Sequence, residues 1–369
     1  MTSSTRDSDR WSGTLPRLAV LVTVGLMFVA VHAALEGAAR FSERYLGAYL
    51  WKEQDYLRLF SPANHAGRGR HRLLIYGPSE AREGLLPEEI AREAKGLKPY
   101  QNSQSIGTLE DGLIVLRYIE GAYGPDAVPD AMLLGVTTRF AGNLRTQSSP
   151  LVEGINKYSP HFRVVEDAHP PSLVRRSFVE SIEPRLALLG LMPDRYRRGL
   201  FAIASRTATK IVPSLSAERR SWVPIAPSKY LIGKYASEAA TKKWLVTPGN
   251  FWELVHDWDP SADRERVTRE LQLYRDFAAK HGTELYVVNL PELSWNRELY
   301  KPGRYEAYLE VVRSAIGDTP FLDLRTFLPD ELFFDDAHPT WDGAIKVSRE
   351  VGAFINAHRR AATSARVDR

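Results

Sequence analysis

The chain contains no cysteine among its 369 residues, so it has neither disulfide bonds nor thiolate metal sites. This absence does not identify a compartment, because proteins without disulfides occur on both sides of a membrane. The chain also lacks a strong charge of one sign. The formal net charge is +4 and no dense lysine and arginine tract occurs, so we expect no nucleic-acid partner. The remaining composition, 44% hydrophobic and 25% charged, is typical of a globular protein of one or two domains.

One long apolar run lies near the N-terminus, from Leu18 to Leu35. At about 1.5 Å per helical residue, it is just long enough to cross a hydrocarbon core of about 30 Å. A cleaved signal peptide is the alternative, with processing near Ala33 or Ala34. The run exceeds a usual signal core, so we expect an uncleaved signal-anchor. Arginines before the run favour a cytoplasmic N-terminus and a periplasmic or extracellular remainder: Arg6, Arg10 and Arg17.

After a connecting stretch, short apolar runs alternate with helical patterns. This alternation predicts an α/β fold, a doubly wound (flavodoxin-like) parallel sheet of five strands with helices on both faces. Thr108 with Asp111 predicts a capped helix start, and Gly282 predicts a helix end. The last helix is predicted to begin at Thr340 and to bury Ile345, Val351 and Ile355. The five strands are predicted at 72–76, 98–102, 131–136, 284–290 and 321–324.

These patterns divide the chain into consecutive parts. The interval from about 139 to 260 is too long for a plain loop, and we interpret it as a helical insertion. Its tryptophans either stack on sugar rings or belong to a core or a membrane-facing belt: Trp222, Trp244, Trp252 and Trp258. The predicted parts are a cytoplasmic tail (1–15), a transmembrane helix (16–37), a connector (38–70), a globular domain (71–358) and a flexible tail (359–369).

Ser79 follows the first strand in "RLLIYGPSE", and Asp335 and His338 follow the last strand in "FFDDAHPTW". Reactive groups of open parallel sheets gather beyond the carboxyl ends of the strands. An aspartate three residues before a histidine can accept its Nδ1 hydrogen, which leaves Nε2 as a base for a serine hydroxyl. Asp336 is the alternative partner if the loop register differs. Ser79 alone is equally compatible with an ordinary turn, and His338 alone with a helix cap.

Gly77-Pro78-Ser79, Asp335-x-x-His338 and five strands together resemble an SGNH (GDSL-type) hydrolase. The N-terminal anchor and the long insertion resemble its membrane-tethered branch, similar to DltD and AlgJ, which act in acyl transfer beside membrane-bound O-acyltransferases. The resemblance covers 72–104, 131–138 and 284–355, and not the insertion. It implies Ser79 as nucleophile, His338 as general base and Asp335 as its orienting partner.

The resemblance also implies an oxyanion site made by the backbone N–H groups of Ser79 and Gly107. Two positions depart from the family pattern. Pro78 replaces the aspartate of Gly-Asp-Ser, and Thr137 stands where the family has an oxyanion-binding asparagine. Thr137 offers a hydroxyl instead of an amide, and losing one oxyanion donor typically costs about 100- to 1000-fold in turnover.

The resemblance therefore implies a serine O-acyltransferase or esterase that acts on acyl esters, acetyl above all, of a cell-envelope or secreted polysaccharide. The expected partners are a membrane-bound O-acyltransferase, a glycan acceptor and the membrane; no cofactor is expected. A general exported esterase of small or lipid esters is a second possibility. A non-catalytic scaffold that binds a glycan or the acyltransferase is a third, and the threonine at position 137 motivates it.

One acidic segment has partly the spacing of a calcium loop: Asp257, Asp259, Ser261 and Asp263. It lacks the glycine at the sixth position and the glutamate at the twelfth. A helix start capped by Ser261 explains it better, so no metal site is predicted.

Overall fold

The computed structural model describes residues 14–45, 58–60, 65, 71–144, 149–165, 171–188 and 251–367, with scattered positions between 190 and 248. It divides into two compact units. The first comprises Met1–Trp51 and Gly190–Ser228, and the second comprises Lys52–Leu189 and Lys229–Arg369.

The first unit is dominated by helix α1 (Thr14–Tyr45). Its segment Ala19–Ala39 is long and apolar enough to cross a membrane, and its large side chains lie on the surface. A signal sequence has the same properties. Within this unit the hydroxyl of Tyr196 lies 3.2 Å from both ring nitrogens of His32.

The second unit is an α/β domain whose elements follow in chain order. Its strands are β1 (Arg72–Tyr76), β2 (Lys98–Gln101), β3 (Ala131–Val136), β4 (Phe162–Val165), β5 (Ser172–Arg175), β6 (Glu284–Asn289) and β7 (Phe321–Asp323). Its helices are α2 (Ser79–Gly84), α3 (Pro87–Glu93), α4 (Leu109–Tyr123), α5 (Thr138–Ala141), α6 (Pro150–Tyr158), α7 (Phe251–Asp257), α8 (Arg264–His281), α9 (Ser294–Arg297), α10 (Arg304–Ile316) and α11 (Trp341–Val367).

Five strands form one parallel sheet in the order β2-β1-β3-β6-β7. The central strands β1 and β3 are buried along their whole length, as continuous apolar runs in a parallel sheet should be. The core on one side of the sheet joins residues of α2, α3 and α11, including Ile90, Val351 and Ile355. The expected five-stranded parallel sheet is confirmed.

Several local predictions are confirmed by the backbone. Thr108 caps α4, its hydroxyl accepts from the backbone N–H of Asp111, and the Asp111 side chain returns a bond to complete a capping box. Gly282 ends α8 in the left-handed region at φ 64°. Glycine adopts this conformation without steric strain, which is why Gly282 predicts the end of the helix.

Two other local predictions were wrong. Ile345 is only half-buried, because the buried face of α11 runs through Ala344, Val347, Val351 and Ile355 and leaves position 345 beside it. Helix α8 begins after Asp263, so Ser261 is not its cap. Helix α11 continues to Val367, so the C-terminal residues are helical well beyond residue 358.

The interval interpreted as a helical insertion also contains strands. Within its described residues, β4 and β5 pair in antiparallel fashion, and α6 and α7 lie before and after them. The alternation in "FRVV" is only four residues long, too short to distinguish a strand from a helix turn by periodicity alone. Trp222 and Trp244 lie outside the described residues.

Candidate active site

The candidate site lies at the carboxyl edge of the parallel sheet. Ser79 follows β1, Gly107 follows β2, Thr137 follows β3, and the loop with Asp335 and His338 follows β7. Because all five strands are parallel, their carboxyl ends meet at this edge. A small open cleft lies here, lined by residues that follow β1, β3, β6 and β7.

Ser79 is the first residue of α2, directly after the Gly77-Pro78 turn. A Cβ at position 77 would lie 2.6 Å from the carbonyl oxygen of Gly135 and 2.6 Å from Cβ of Ala81. Only glycine lets β1, β3 and α2 approach so closely. The turn thereby holds Ser79 at the sheet edge, with its backbone N–H among the helix-start donors that have no intrahelical acceptor.

Asp335 and His338 form a tight pair in a closed loop. Phe333 and Pro339 form a β-bridge, and the Phe334 N–H donates to the His338 carbonyl at 2.7 Å, which folds the loop back on itself. Nδ1 of His338 then donates to Asp335 Oδ1 at 2.7 Å. The same carboxylate oxygen accepts the backbone N–H of His338 at 2.7 Å. This geometry fixes the imidazole tautomer and leaves Nε2 as the basic nitrogen.

The alternative partner, Asp336, faces a different group. Its Oδ2 accepts the indole N–H of Trp252. Burial, followed by the charge of Asp335, raises the pKa of Asp336. The structure thus pairs His338 with Asp335 and not with Asp336.

The charges around His338 favour its protonated form. Burial alone lowers the pKa of this imidazole, but Glu83, Asp335 and Glu80 outweigh burial and raise the pKa to about 9. Burial likewise opposes ionisation of Asp335, yet its bond to His338 lowers the pKa of the carboxyl to about 2. The resting pair at neutral pH is therefore an imidazolium and a carboxylate.

Ser79 takes part in a second buried network. Its hydroxyl donates to Glu80 Oε2 at 3.0 Å, and Arg139 Nη2 donates to the hydroxyl at 3.3 Å. Arg139 also pairs with Glu80 through the same carboxylate oxygen, and both side chains are more than nine-tenths buried. Burial opposes ionisation of Glu80, but Arg139 and His338 lower its pKa. Glu80 is thus coupled both to Ser79 and to His338.

Among the described residues, Nε2 of His338 is buried and has no hydrogen-bond partner. The Ser79 hydroxyl is directed to Glu80 instead. Ser79 and the loop of His338 both adjoin helix α2. Ser79 is the first residue of α2, and a Cβ on Gly84, its last residue, would lie 3.3 Å from Pro339, the residue after His338. In resting enzymes, catalytic hydrogen bonds are often long and shorten only when substrate binds.

Ser79, Gly107 and Thr137, the three residues expected to form the oxyanion site, differ in whether their hydrogen-bond donors are already engaged. The N–H of Gly107 donates to the Gln104 carbonyl at 3.2 Å, inside a turn that packs on the carbonyl of Gly77. The hydroxyl of Thr137 accepts the N–H of Phe140 at 3.2 Å, so its own hydrogen is still available to donate. Thr137 lines the cleft. Ser79 and Thr137 therefore offer donors at this edge, whereas the Gly107 N–H is engaged.

The far wall of the cleft is a half-buried polar cluster after β6 and β7. Arg325 Nε donates to Glu292 Oε2 at 2.8 Å, and its guanidinium stacks 3.2 Å from the centroid of Tyr305. Tyr300 donates to Glu292 Oε1 at 2.7 Å. Nη2 of Arg325 is buried without a partner among the described residues. Hydrogen-bonding groups and aromatic rings of this kind suit a hydroxylated ligand better than an apolar one.

Trp252 and Trp258 are not open stacking platforms. Trp252 is 6% exposed and belongs to a small core with Leu245 and Val255. Trp258 is half-buried, and its indole N–H donates to Asp263 at 3.0 Å. Burial explains both residues, as the core interpretation predicted.

The acidic segment before α8 is held by basic side chains. Asp257 pairs with Lys301 at 2.8 Å. Asp259 pairs with Arg304, and Asp263 with Arg266. Each carboxylate thus has a cationic neighbour, which explains the acidic spacing without a metal.

The sequence reasoning missed Glu80, Glu83 and Arg139. Glu80 and Glu83 follow Ser79 within one short helix, a spacing that also fits an ordinary solvated helix start. Arg139 directly follows the third strand in "VTTRF". A single arginine at this position predicts no function from the sequence alone. Only the fold, which places it beside Glu80, reveals its contact with the site.

Neither the models of known protein families nor the curated protein sequences match this chain. The chemistry of the site therefore has to be argued from its own geometry.

Proposed function

We propose that this chain is a membrane-anchored, SGNH-like serine O-acyltransferase or esterase. Its acyl group, acetyl above all, would come from or go to a cell-envelope or secreted polysaccharide. The observation that carries the proposal is the Asp335–His338 pair, whose unpartnered Nε2 lies at the same sheet edge as Ser79. The strand order β2-β1-β3-β6-β7 supports a doubly wound, flavodoxin-like arrangement.

In the proposed reaction, the Ser79 hydroxyl turns from Glu80 to Nε2 of neutral His338 and gives up its proton. The serine oxygen attacks the ester carbonyl carbon, and the oxyanion accepts hydrogen bonds from the Ser79 N–H and the Thr137 hydroxyl. His338 then protonates the leaving alkoxide, and an acyl-serine remains. Asp335 stabilises the imidazolium throughout and itself stays ionised.

The second half of the reaction reverses these steps. An acceptor hydroxyl, from a sugar or from water, gives its proton to His338 and attacks the acyl carbon. Ser79 leaves with the proton from His338. The polar cleft beside Glu292 and Arg325 supports a hydroxylated acceptor.

We also propose that the α/β domain is exported. Helix α1 would anchor the chain in the cell membrane with its N-terminus in the cytoplasm, and the α/β domain would face the periplasm or the exterior. A membrane-bound O-acyltransferase would then supply the acyl group. The apolar segment Ala19–Ala39 supports the anchor.

The test is covalent labelling of the full chain in detergent with a fluorophosphonate, read by intact mass. We expect one adduct on the parent chain and none on Ser79→Ala or His338→Ala. The matched control is Ser105→Ala, a nearby serine whose hydroxyl accepts from Arg82 instead. Labelling that persists in Ser79→Ala would refute the assignment of the nucleophile.

One observation favours a non-catalytic scaffold instead. The Ser79 hydroxyl is engaged by Glu80 and Arg139, and the Gly107 N–H is engaged by Gln104. If that resting arrangement never opens, the cleft binds a glycan without turning it over. Absence of labelling with and without a membrane extract, together with oligosaccharide binding by calorimetry, would favour the scaffold.

A further inference from the structure

The α/β unit carries an exposed apolar ridge on residues 178–186, remote in sequence from the candidate site. Four of its side chains are large and solvent-exposed: Phe178 (77% exposed), Val179 (74%), Ile182 (43%) and Leu186 (62%). A 3₁₀ turn at Val179–Ser181 continues into helix 182–188. Spacings of three and four residues place these side chains on one face of that helix.

The ridge is held firmly by the strand before it. Arg175 Nη2 donates to the Gly121 carbonyl at 2.9 Å, and Arg176 Nε donates to the Phe162 carbonyl at 3.1 Å. Ser177 caps the turn, because its backbone N–H donates to Glu180 Oε2 at 2.7 Å. The exposed apolar face is therefore a fixed feature of the unit.

Basic side chains surround the ridge. Arg175 and Arg176 lie just before the ridge, and Arg185 lies within it. Burial, followed by the charges of Arg175 and Arg185, lowers the pKa of His161. Hydrogen bonds from Ser177, followed by the charges of Arg163 and Arg176, lower the pKa of Glu180. The sequence from Ser172 to Leu200 contains six arginines, no lysine and three acidic residues. An apolar face flanked by arginines fits the boundary between anionic head groups and acyl chains.

The chain itself leads from the ridge to the apolar helix. Soon after Leu186 it reaches Tyr196, whose hydroxyl lies 3.2 Å from the ring nitrogens of His32 in α1. The segment that follows the ridge thus belongs to the same compact unit as the candidate membrane span. This covalent continuity favours a lipid surface over a soluble partner.

We propose that residues 178–186 form an interfacial helix that lies on the anionic membrane surface in which α1 is anchored. The ridge would insert its apolar side chains below the head groups while Arg163 and Arg185 contact lipid phosphates. This inference rests on the anchor part of the proposed function and is independent of the chemistry at Ser79. Its consequence is a fixed orientation of the α/β unit on the membrane.

The absence of cysteine makes a direct test possible, because each introduced cysteine is the only one in the chain. Full-length Phe178→Cys, Ile182→Cys and Leu186→Cys are labelled with an environment-sensitive fluorophore and reconstituted into vesicles. The vesicles are phosphatidylcholine alone or phosphatidylcholine with phosphatidylglycerol, with brominated acyl chains as quencher. Lys95→Cys, an exposed position on the α/β unit, is the matched control. Leu26→Cys reports whether α1 itself is inserted.

We expect the three ridge probes to be quenched by brominated lipid in the anionic vesicles, and the probe at position 95 to remain unquenched. In the Arg163→Gln/Arg185→Gln double variant, the equilibrium constant for insertion of the ridge should fall by about fivefold for each arginine removed. Within the described part of the chain, neither arginine side chain makes a hydrogen bond of the kind by which Arg175 and Arg176 hold the segment.

Quenching at position 26 with none at 178, 182 and 186 would overturn the interfacial helix and leave the anchor intact. No quenching at position 26 would overturn the anchor, and this inference with it. Shielding of the ridge probes only after a membrane-protein extract is added would also overturn it, because the ridge would then be a protein-docking surface. None of these outcomes depends on whether Ser79 reacts with a fluorophosphonate.

Discussion

Glu83 should control the pH at which Ser79 becomes reactive. One carboxylate oxygen of Glu83 accepts from Arg82 at 2.7 Å, and the other is buried without a hydrogen-bond partner among the described residues. The charge of Glu83 is one of the main causes that raise the pKa of His338 to about 9. Glu83→Gln removes this charge, keeps the shape of the side chain and can still accept from Arg82.

The expected size of the effect follows from the neutral fraction of His338. The rise from 6.5 to about 9 corresponds to roughly 3 kcal/mol of preference for the imidazolium, shared by three carboxylates. Losing the charge of Glu83 should lower the pKa by about one unit. At a pH of ~7.5, a pKa of about 9 leaves about 3% of His338 neutral, and a pKa of about 8 leaves about 24%. Fluorophosphonate labelling at that pH should therefore be about eightfold faster in Glu83→Gln.

The assay is the labelling rate as a function of pH in the full chain. The parent rate should climb with pH up to about 9, and the Glu83→Gln curve should be displaced toward acid. Glu88→Gln is the matched control, since Glu88 is an exposed glutamate on the neighbouring helix α3. Superimposed curves for the parent and Glu83→Gln would refute the electrostatic account, as would a parent midpoint near 6.5.

Three further predictions concern stability, each measured by denaturant unfolding of the full chain. Because the folded-state pKa of His338 is raised, its stabilisation is fully present below 6.5 and is lost as the pH rises to about 9. Relative to His338→Gln, the parent should therefore lose roughly 3 kcal/mol across that window, and parallel curves would contradict the assignment. Arg139→Met should cost about 3–5 kcal/mol, because it leaves buried Glu80 without its cation, and adding Glu80→Gln should restore much of the loss. Gly77→Ala should cost about 1–3 kcal/mol because its Cβ would lie 2.6 Å from a backbone oxygen of β3, and a neutral result would refute the close approach.

The sheet could be predicted from the sequence because its signals are local. The strand "RLLIY" is a continuous apolar run between turn residues, and its bounds agree with β1. The end of α8 at Gly282 and the cap at Thr108 are likewise set by residues within a few positions. The pairing of Asp335 with His338 also belongs to this class, because a spacing of three residues within one loop determines it.

The rest of the site depends on contacts that no local pattern contains. Arg139 reaches Glu80 across 59 positions of the chain. The raised pKa of His338 arises from carboxylates on α2, which the spacing of the Asp-x-x-His motif does not contain. The position of Ile345 illustrates a subtler limit, since an apolar residue can lie beside the buried face of a helix instead of on it.

The hydroxyl of Ser348, in the last helix, accepts the Leu86 N–H at 2.7 Å and donates to the Gly84 carbonyl at 3.1 Å, across 264 positions. Helix α2 therefore acquires its final environment only when the C-terminal helix docks on it. If the chain is exported as proposed, the segment that follows α1 crosses the membrane first, and Ser79 would cross long before His338. Since contacts so distant in sequence form late, the serine would stay unreactive until translocation is complete. The order of the chain would then protect the proposed nucleophile from esters that it meets during export.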